Sequence, residues 1–204
     1  MIYVAGQPIT PQQAFARLAN YPPNTVQKYD LPRCMPGLVT LTEARRTRVI
    51  NSRISGTEAQ WFIQHSQSWH WTLIPATASL VNADPTVVGG LYDDAAHLYG
   101  HFANTAPRGV ARGKISKVLH LKYPGLIPIL DSRLTKLYRG PATAAAQASP
   151  RWRGRFRRLW WQAIRQDLLA SDFVPLRRLL AGANDHRRTF AQILDLRLHD
   201  ALCW

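Results

Sequence analysis

Acidic residues are scarce in this chain. Twelve Asp and Glu stand against 26 Lys and Arg over 204 residues, a formal net charge of +14 with neutral His. Cysteine is scarcer still: Cys34 and Cys203 are the only two, far apart and with no Cys-x-x-Cys partner. That argues against a disulfide framework and a structural zinc site, and leads us to expect a reducing cytoplasmic setting, nucleoid-associated given the charge. No apolar run approaches the roughly 18 residues needed to span a bilayer, so no membrane partner is expected. The start, MIYVAGQPITPQQ, has no basic stretch followed by an apolar one, so no secretory leader is expected either. The 12 glycines include no GxGxxG and no GxxxxGK[ST], which removes the dinucleotide and P-loop readings. No cofactor and no metal are expected.

Arginine is what the chain has in abundance, 21 residues against 5 Lys. Arg favours bidentate phosphate contacts and stacking, so the bias points to nucleic acid rather than to solubility alone. Arg45, Arg46, Arg48 and Arg53 form one cationic stretch. Arg151, Arg153, Arg155, Arg157 and Arg158 form a denser one, interleaved with Trp152 and Phe156. A charge run is usually a solvated face. Here the balancing acids are missing, so a phosphate-tracking surface is the better reading. The DNA-binding candidates are Arg45, Arg48, Arg53, Arg112, Arg133, Arg151, Arg153 and Arg155.

The hydrophobic pattern reads as all-α. Pro11 after Thr10 opens a short helix, PQQAFARLA. Residues 1–40 otherwise read as an irregular, proline-fixed wrap. Thr40/Glu43 and Ser55/Glu58 have capping-box spacing and predict helices over about 41–52 and 56–68. Asp84-Pro85 predicts a helix to about His101 or Phe102, weakened by Gly89-Gly90. GKISKVLHLK (113–122) predicts a helix that Tyr123-Pro124-Gly125 stops, and DSRLTKLY a further one. PATAAAQASP (141–150) is a low-complexity connector that fits either a helix or a loose segment. FRRLWWQAIRQDLLA, VPLRRLLAG and RTFAQILDLRLHDALCW have helical spacing and make 151–204 a set of basic C-terminal helices. No stretch alternates strongly enough to demand a sheet. The expectation is one domain over 1–204, monomeric, a helical bundle with a cleft between two helical lobes.

The chemically informative segment is RGVARGKISKVLHLKYPGLIPILDSRLTKLY, residues 108–138. It places Lys117 on a helix, then a tight proline turn, then Asp131 at the N-cap of the next helix. An N-cap carboxylate accepts backbone N–H bonds, which keeps it ionised and fixed in direction. A Lys beside helix N-termini and many Arg can have a lowered pKa, which favours the nucleophilic amine. Spacing alone is also met by plain capping and a solvated Lys.

The stretch SKVLHLKYPGLIPILDSRL resembles the core of the helix-hairpin-helix DNA glycosylase superfamily, closest to the 8-oxoguanine-glycosylase-like and archaeal 8-oxoguanine glycosylase branches and related bacterial proteins. The resemblance implies a helix-hairpin-helix bundle that acts on double-stranded DNA. It implies Lys117 as nucleophile and Asp131 as catalytic carboxylate, with Pro128-Ile129-Leu130 leading into the Asp. The usual hairpin reads L-P-G-[VI]-G, whereas this chain has Pro107-Arg108-Gly109-Val110-Ala111-Arg112-Gly113. Lys114 therefore stays an alternative to Lys117. The implied reaction flips a nucleotide and breaks its N-glycosidic bond, with Asp131 facing the oxocarbenium-like sugar and Lys117 attacking C1′ or positioning water. The base could be oxidised, alkylated or a hypermodified phage base such as glucosylated hydroxymethylcytosine, which leaves repair and antiviral defence both open.

Trp69, Trp71, His101 and Lys114 are candidates for the substrate pocket, aromatics being suited to stack on a flipped base. Trp61 and Phe62 read as core. His97 and His101 are i, i+4 with Asp93 and Asp94 before them, but a third His or Cys ligand is wanting. The alternative function is a non-catalytic nucleic-acid-binding protein with the same helical fold.

Overall fold

The structure, a computed structural model, describes residues 1–32, 34–148 and 156–204. Helix makes up 60% of it and strand 3%, an all-α fold with one small hairpin. The elements run β1 (Ile2–Val4), β2 (Gln7–Ile9), α1 (Pro11–Leu18), α2 (Leu41–Arg46), α3 (Gly56–Ser66), α4 (Leu91–Ala103), α5 (Arg112–Lys122), α6 (Ser132–Leu137), α7 (Arg139–Ala148), α8 (Phe156–Ala170), α9 (Val174–Ala181) and α10 (Asp195–Leu202). The chain divides into two compact units. One holds Met1–Val26 and Ser132–Trp204, the other Gln27–Asp131.

In the discontinuous unit, β1 and β2 pair antiparallel with Ile2 opposite Ile9 and Val4 opposite Gln7. This hairpin departs from the expected irregular wrap. Its strands are only three residues each, and β2 contains Pro8, so alternation is too brief to read in sequence. Ala5 (φ 52°) and Gly6 (φ 77°) both lie in the left-handed region, as a two-residue hairpin turn requires.

Side chains far along the chain hold that turn. The Ala5 amide donates to the Tyr138 hydroxyl oxygen at 2.9 Å, and the Gly6 amide donates to both Asp167 oxygens at 3.1 Å. Tyr138 donates its proton to Asp167 Oδ2 at 2.5 Å, which makes His199 Nε2, 2.7 Å away, the donor to the same hydroxyl oxygen. The hydroxyl thus spends its one proton and both lone pairs. Burial first, then Cys203 and the Asp167 charge, push the Tyr138 phenol far above its ordinary value. Burial pushes Asp167 up too, but the bonds from His199, Tyr138 and Gly6 outweigh it and hold the carboxyl below its ordinary value.

In the continuous unit, both predicted capping boxes form. Thr40 Oγ1 accepts from Glu43 N while Glu43 accepts from Thr40 N, and Ser55 with Glu58 does the same. Thr10 and Gln13 make a third such box at the start of α1. Three boundaries differ from expectation. The 41–52 helix gives way to a 3-10 turn at Thr47–Ile50 and stops at Asn51, whose φ is 60°. The helix expected from Asp84 starts at Leu91, because Gly89 adopts φ 70° and Gly90 becomes the N-cap. In the other unit, the last expected helix divides into a 3-10 segment, His186–Gln192, and α10. The connector over 141–150 contributes helix α7 as far as Ala148, its alanines supplying the propensity.

Replacing Tyr138 by Phe should cost about 1–3 kcal/mol of stability, since Asp167 and His199 lose their shared buried partner. Urea unfolding checks the cost. Amide exchange at Ala5 should quicken in the same variant, because its acceptor is gone.

Candidate active site

Helix α5 is enclosed on every side: Ile115 through Lys122 are all buried. It follows α4 through a turn in which Val110 N donates to Pro107 O at 3.0 Å and Gly109 takes φ 97°. Only Gly adopts that φ without strain, and a Cβ there would also lie 2.9 Å from Glu58 Oε1. The pair α4–α5 is thus a helix, a glycine turn and a second helix.

The strip after α5 returns along it in reverse. His120 Nδ1 lies 2.7 Å from the Ile127 carbonyl oxygen, so Nδ1 carries the proton. Leu130 N donates to Ser116 Oγ at 3.0 Å. A Cβ on Gly113 would lie 3.7 Å from Leu130 O and 3.9 Å from the Asp131 Cα. Residues 127, 130 and 131 therefore meet 120, 116 and 113 in turn. Gly113, Lys117 and His120 form one stripe by their i, i+4, i+7 spacing. This register sets the Asp131 backbone against Gly113 at the start of α5, with Lys117 one turn further along the stripe.

Lys117 is not the solvated lysine that plain spacing allows. It is 7% exposed, and its Nζ donates to the Ile50 carbonyl at 2.7 Å. Its own carbonyl accepts from the Tyr29 hydroxyl at 2.7 Å. Its two partners, Tyr29 and Ile50, belong to an apolar cluster with Leu121 and Ile129. Lys114 is half-buried, and its Nζ reaches Glu58 Oε1 at 2.5 Å. Burial pushes the Glu58 carboxyl up, but Lys114 and the Ser55 amide together outweigh it and leave it below its ordinary value. Asp131 is partly exposed and directly precedes α6.

The aromatic candidates gather elsewhere in this unit. His65 and His101 stack at 4.3 Å between ring centroids, and each ring nitrogen Nε2 lies within hydrogen-bond reach of the other residue's carbonyl oxygen, 2.9 and 3.1 Å. Trp69 lies against His101. Trp71 donates to Ser66 O at 2.9 Å and stacks over Tyr123. Tyr123 caps the C-terminal end of α5, whereas Gly113 and Asp131 meet at its N-terminal end. An 11-residue helix separates those ends by about 15 Å. Trp61 and Phe62 pack edge-to-face in the same cluster. Among the described residues, no group of three His, Cys, Asp or Glu could hold a metal ion. No described helix is long and apolar enough to cross a membrane.

Of the arginines, Arg45, Arg48 and Arg53 are exposed in this unit. Arg112 is half-buried, and its carbonyl accepts from the Tyr99 hydroxyl at 3.4 Å. Arg133, in the discontinuous unit, lies 5.5 Å over the Trp204 ring. Arg151, Arg153 and Arg155 fall outside the described residues. Arg48 and Arg53 line an open cavity of about 720 Å³, together with Asn51, Ser52, Ile54 and Ser55. Ile50, whose carbonyl accepts a hydrogen bond from Lys117 Nζ, directly precedes Asn51 in the chain.

Two features lie outside the sequence reading: the Asn51-Ser52 pair and the contact of Glu58 with Lys114. Asn51 was within reach, since Asn after an apolar run is a common left-handed stop. Glu58 was read only as a cap, and its second role depends on tertiary contact with Lys114.

A third lysine on α5, Lys122, is buried and ion-paired. Lys122, 3% exposed, donates to Glu43 Oε1 at 2.7 Å and to Leu38 O at 2.8 Å. Burial pushes the Glu43 carboxyl up, but Lys122 and the Thr40 amide more than offset it, so the carboxyl lies below its ordinary value. Glu43→Gln should therefore cost about 3–5 kcal/mol in urea unfolding, because Lys122 keeps its buried charge without a partner. With folded values depressed at Glu43, Glu58 and Asp167, the unfolded chain binds the extra protons. Their stabilisation is complete above the ordinary values of 4.5 and 3.8 and is lost as pH falls through the lower folded values. Melting midpoints should hold level near neutrality and fall steeply below about pH 4.5, and Glu43→Gln should flatten that fall.

No curated protein and no solved structure matches the chain. One family does match, over residues 50–204, a span that contains α3 to α10 and both Lys117 and Asp131. The chain belongs to DUF6308, a family of unknown function.

Proposed function

We propose that the protein is a DNA glycosylase that flips a damaged or modified base out of a duplex and cleaves its N-glycosidic bond, leaving an abasic site. The observation that carries this reading is the register that seats Asp131 against Gly113 at the start of α5, directly after a helix–glycine turn–helix unit. Gly113 has no side chain, so the backbone at Leu130 and Asp131 can lie close against the start of α5. The +14 charge and the exposed arginines supply the affinity for a phosphate backbone.

In this reading Asp131, ionised, stabilises the positive charge that develops on the deoxyribose as the C1′–N bond breaks. A water then attacks C1′. Its oxygen forms the new C1′–O bond and gives up a proton, and the base departs with the electron pair of the old bond and takes up that proton. The two lysines support this water route over amine attack. Lys114 is committed to Glu58, and Lys117, buried, spends a proton on Ile50 O. An amine so placed acts as a positioning group, holding the end of the Thr47–Ile50 turn. The same occupied amines favour, as a second reading, a nucleic-acid-binding protein without chemistry.

Abasic-site detection on a panel of modified duplexes and phage genomic DNAs separates the two. Wild-type protein should produce abasic sites on its cognate substrate. Asp131→Asn should lower excision by roughly 100- to 1000-fold while duplex binding and folding persist. Normal excision by the Asn variant removes Asp131 from the mechanism, and no abasic sites on any substrate moves the assignment to the binding protein. Borohydride should trap no covalent adduct in wild type. A trapped adduct that Lys117→Gln abolishes would establish amine attack instead.

A further inference from the structure

We propose that the cavity beside the Thr47–Ile50 turn is a phosphate-binding subsite, built from Arg48, Asn51, Ser52 and Arg53. It rests on the nucleic-acid reading above only for the source of the phosphate, a strand phosphodiester rather than a free ion.

The walls are one-sided in chemistry. Among the described residues that line the cavity, two are Arg, one Asn and two Ser, and none of these is acidic. Their donors are unspent among the described residues. Arg48 gives one N–H to Ile54 O at 2.8 Å, which fixes the guanidinium and leaves its other N–H groups over. Arg53 and Asn51 are exposed, and their side chains make no hydrogen bond to another described residue. Ser52 is 3% exposed, and its Oγ is buried with no hydrogen-bond partner. A buried hydroxyl without a partner costs free energy, so its retention beside a cationic cavity asks for a ligand that satisfies it.

The backbone is shaped to the same end. Asn51 takes φ 60° and ψ 33°, a left-handed conformation that asparagine enters more readily than other side chains, and so turns the chain at the edge of the cavity. The fold makes this turn rigid from behind, through Lys117 Nζ on Ile50 O. In front, Ser55 caps the 11-residue helix α3, whose N-terminal end carries partial positive charge. Glu58 is the nearby acid, and Lys114 neutralises it. A volume of about 720 Å³ lies within the range of small-molecule sites and accommodates a phosphate with both esterified sugars.

The test uses the full chain and two probes, inorganic phosphate and a short duplex. Phosphate should raise the wild-type melting midpoint, and Asn51→Gly combined with Arg53→Gln should abolish the rise. Gly at 51 keeps the left-handed turn, so this variant should fold. Ser52→Ala should melt no lower than wild type without phosphate, yet respond to phosphate more weakly. A lower midpoint there would mean that the hydroxyl has a structural partner and would overturn its assignment. With the duplex, Arg53→Gln should reduce the slope of log K against log salt by about one, the loss of one phosphate contact. A single methylphosphonate that weakens wild type but not Arg53→Gln identifies the strand as the source. A phosphate response with an unchanged duplex slope identifies the free ion. Unchanged phosphate response and unchanged slope in all variants overturns the subsite. None of these readouts needs base excision, so they stand or fall apart from the glycosylase reading.

Discussion

Two lysine ammonium groups are taken out of water on the central helix of the continuous unit, and much else in that unit exists to satisfy them. An unpaired buried charge is among the costliest defects a small domain can carry. Lys122 fixes Glu43 and the carbonyls of the preceding loop, which in turn places α2. Lys117 fixes the end of the turn that follows α2. The path from Leu38 to Ile54 is thus drawn by two amines, and the cavity is a by-product of where that path must go. A candidate site assembled in this way is rigid before any ligand arrives, which electrostatic catalysis and anion recognition both demand.

The discontinuous unit solves a different problem with the same economy. Its first hairpin buries little apolar surface, since each strand has only three residues. What holds it is a buried polar centre of Tyr138, Asp167 and His199, with both turn amides aimed into it. Fully satisfied networks of this kind specify one arrangement, because any alternative register leaves a buried donor or acceptor unmet.

Local signals were legible in the sequence and distant ones were not. Thr40/Glu43 and Ser55/Glu58 announce their helices because a capping box is a contact between residues three apart. Gly109 and the proline turn at 123–125 announce chain reversals for the same reason. The hairpin was hidden because its stabilising partners lie more than 130 residues away. The roles of Lys114 and Lys117 were hidden too. A basic residue on an amphipathic stretch reads the same whether it faces water or a buried carbonyl, and only the packing of Ile50 and Glu58 against α5 decides. Asp131 was legible as the residue ahead of a helix, while its closeness to Gly113 depends on the register of the returning strip.

The order of the two units along the chain has a consequence for synthesis. Residues 27–131 are contiguous and can complete their core as soon as they leave the ribosome. The first 26 residues cannot. Their hairpin turn waits for Asp167, and the network that fixes Asp167 waits for His199. During translation the chain therefore carries an unfinished N-terminal segment past an already folded insert. Closing that long loop therefore follows the synthesis of α8 and α10.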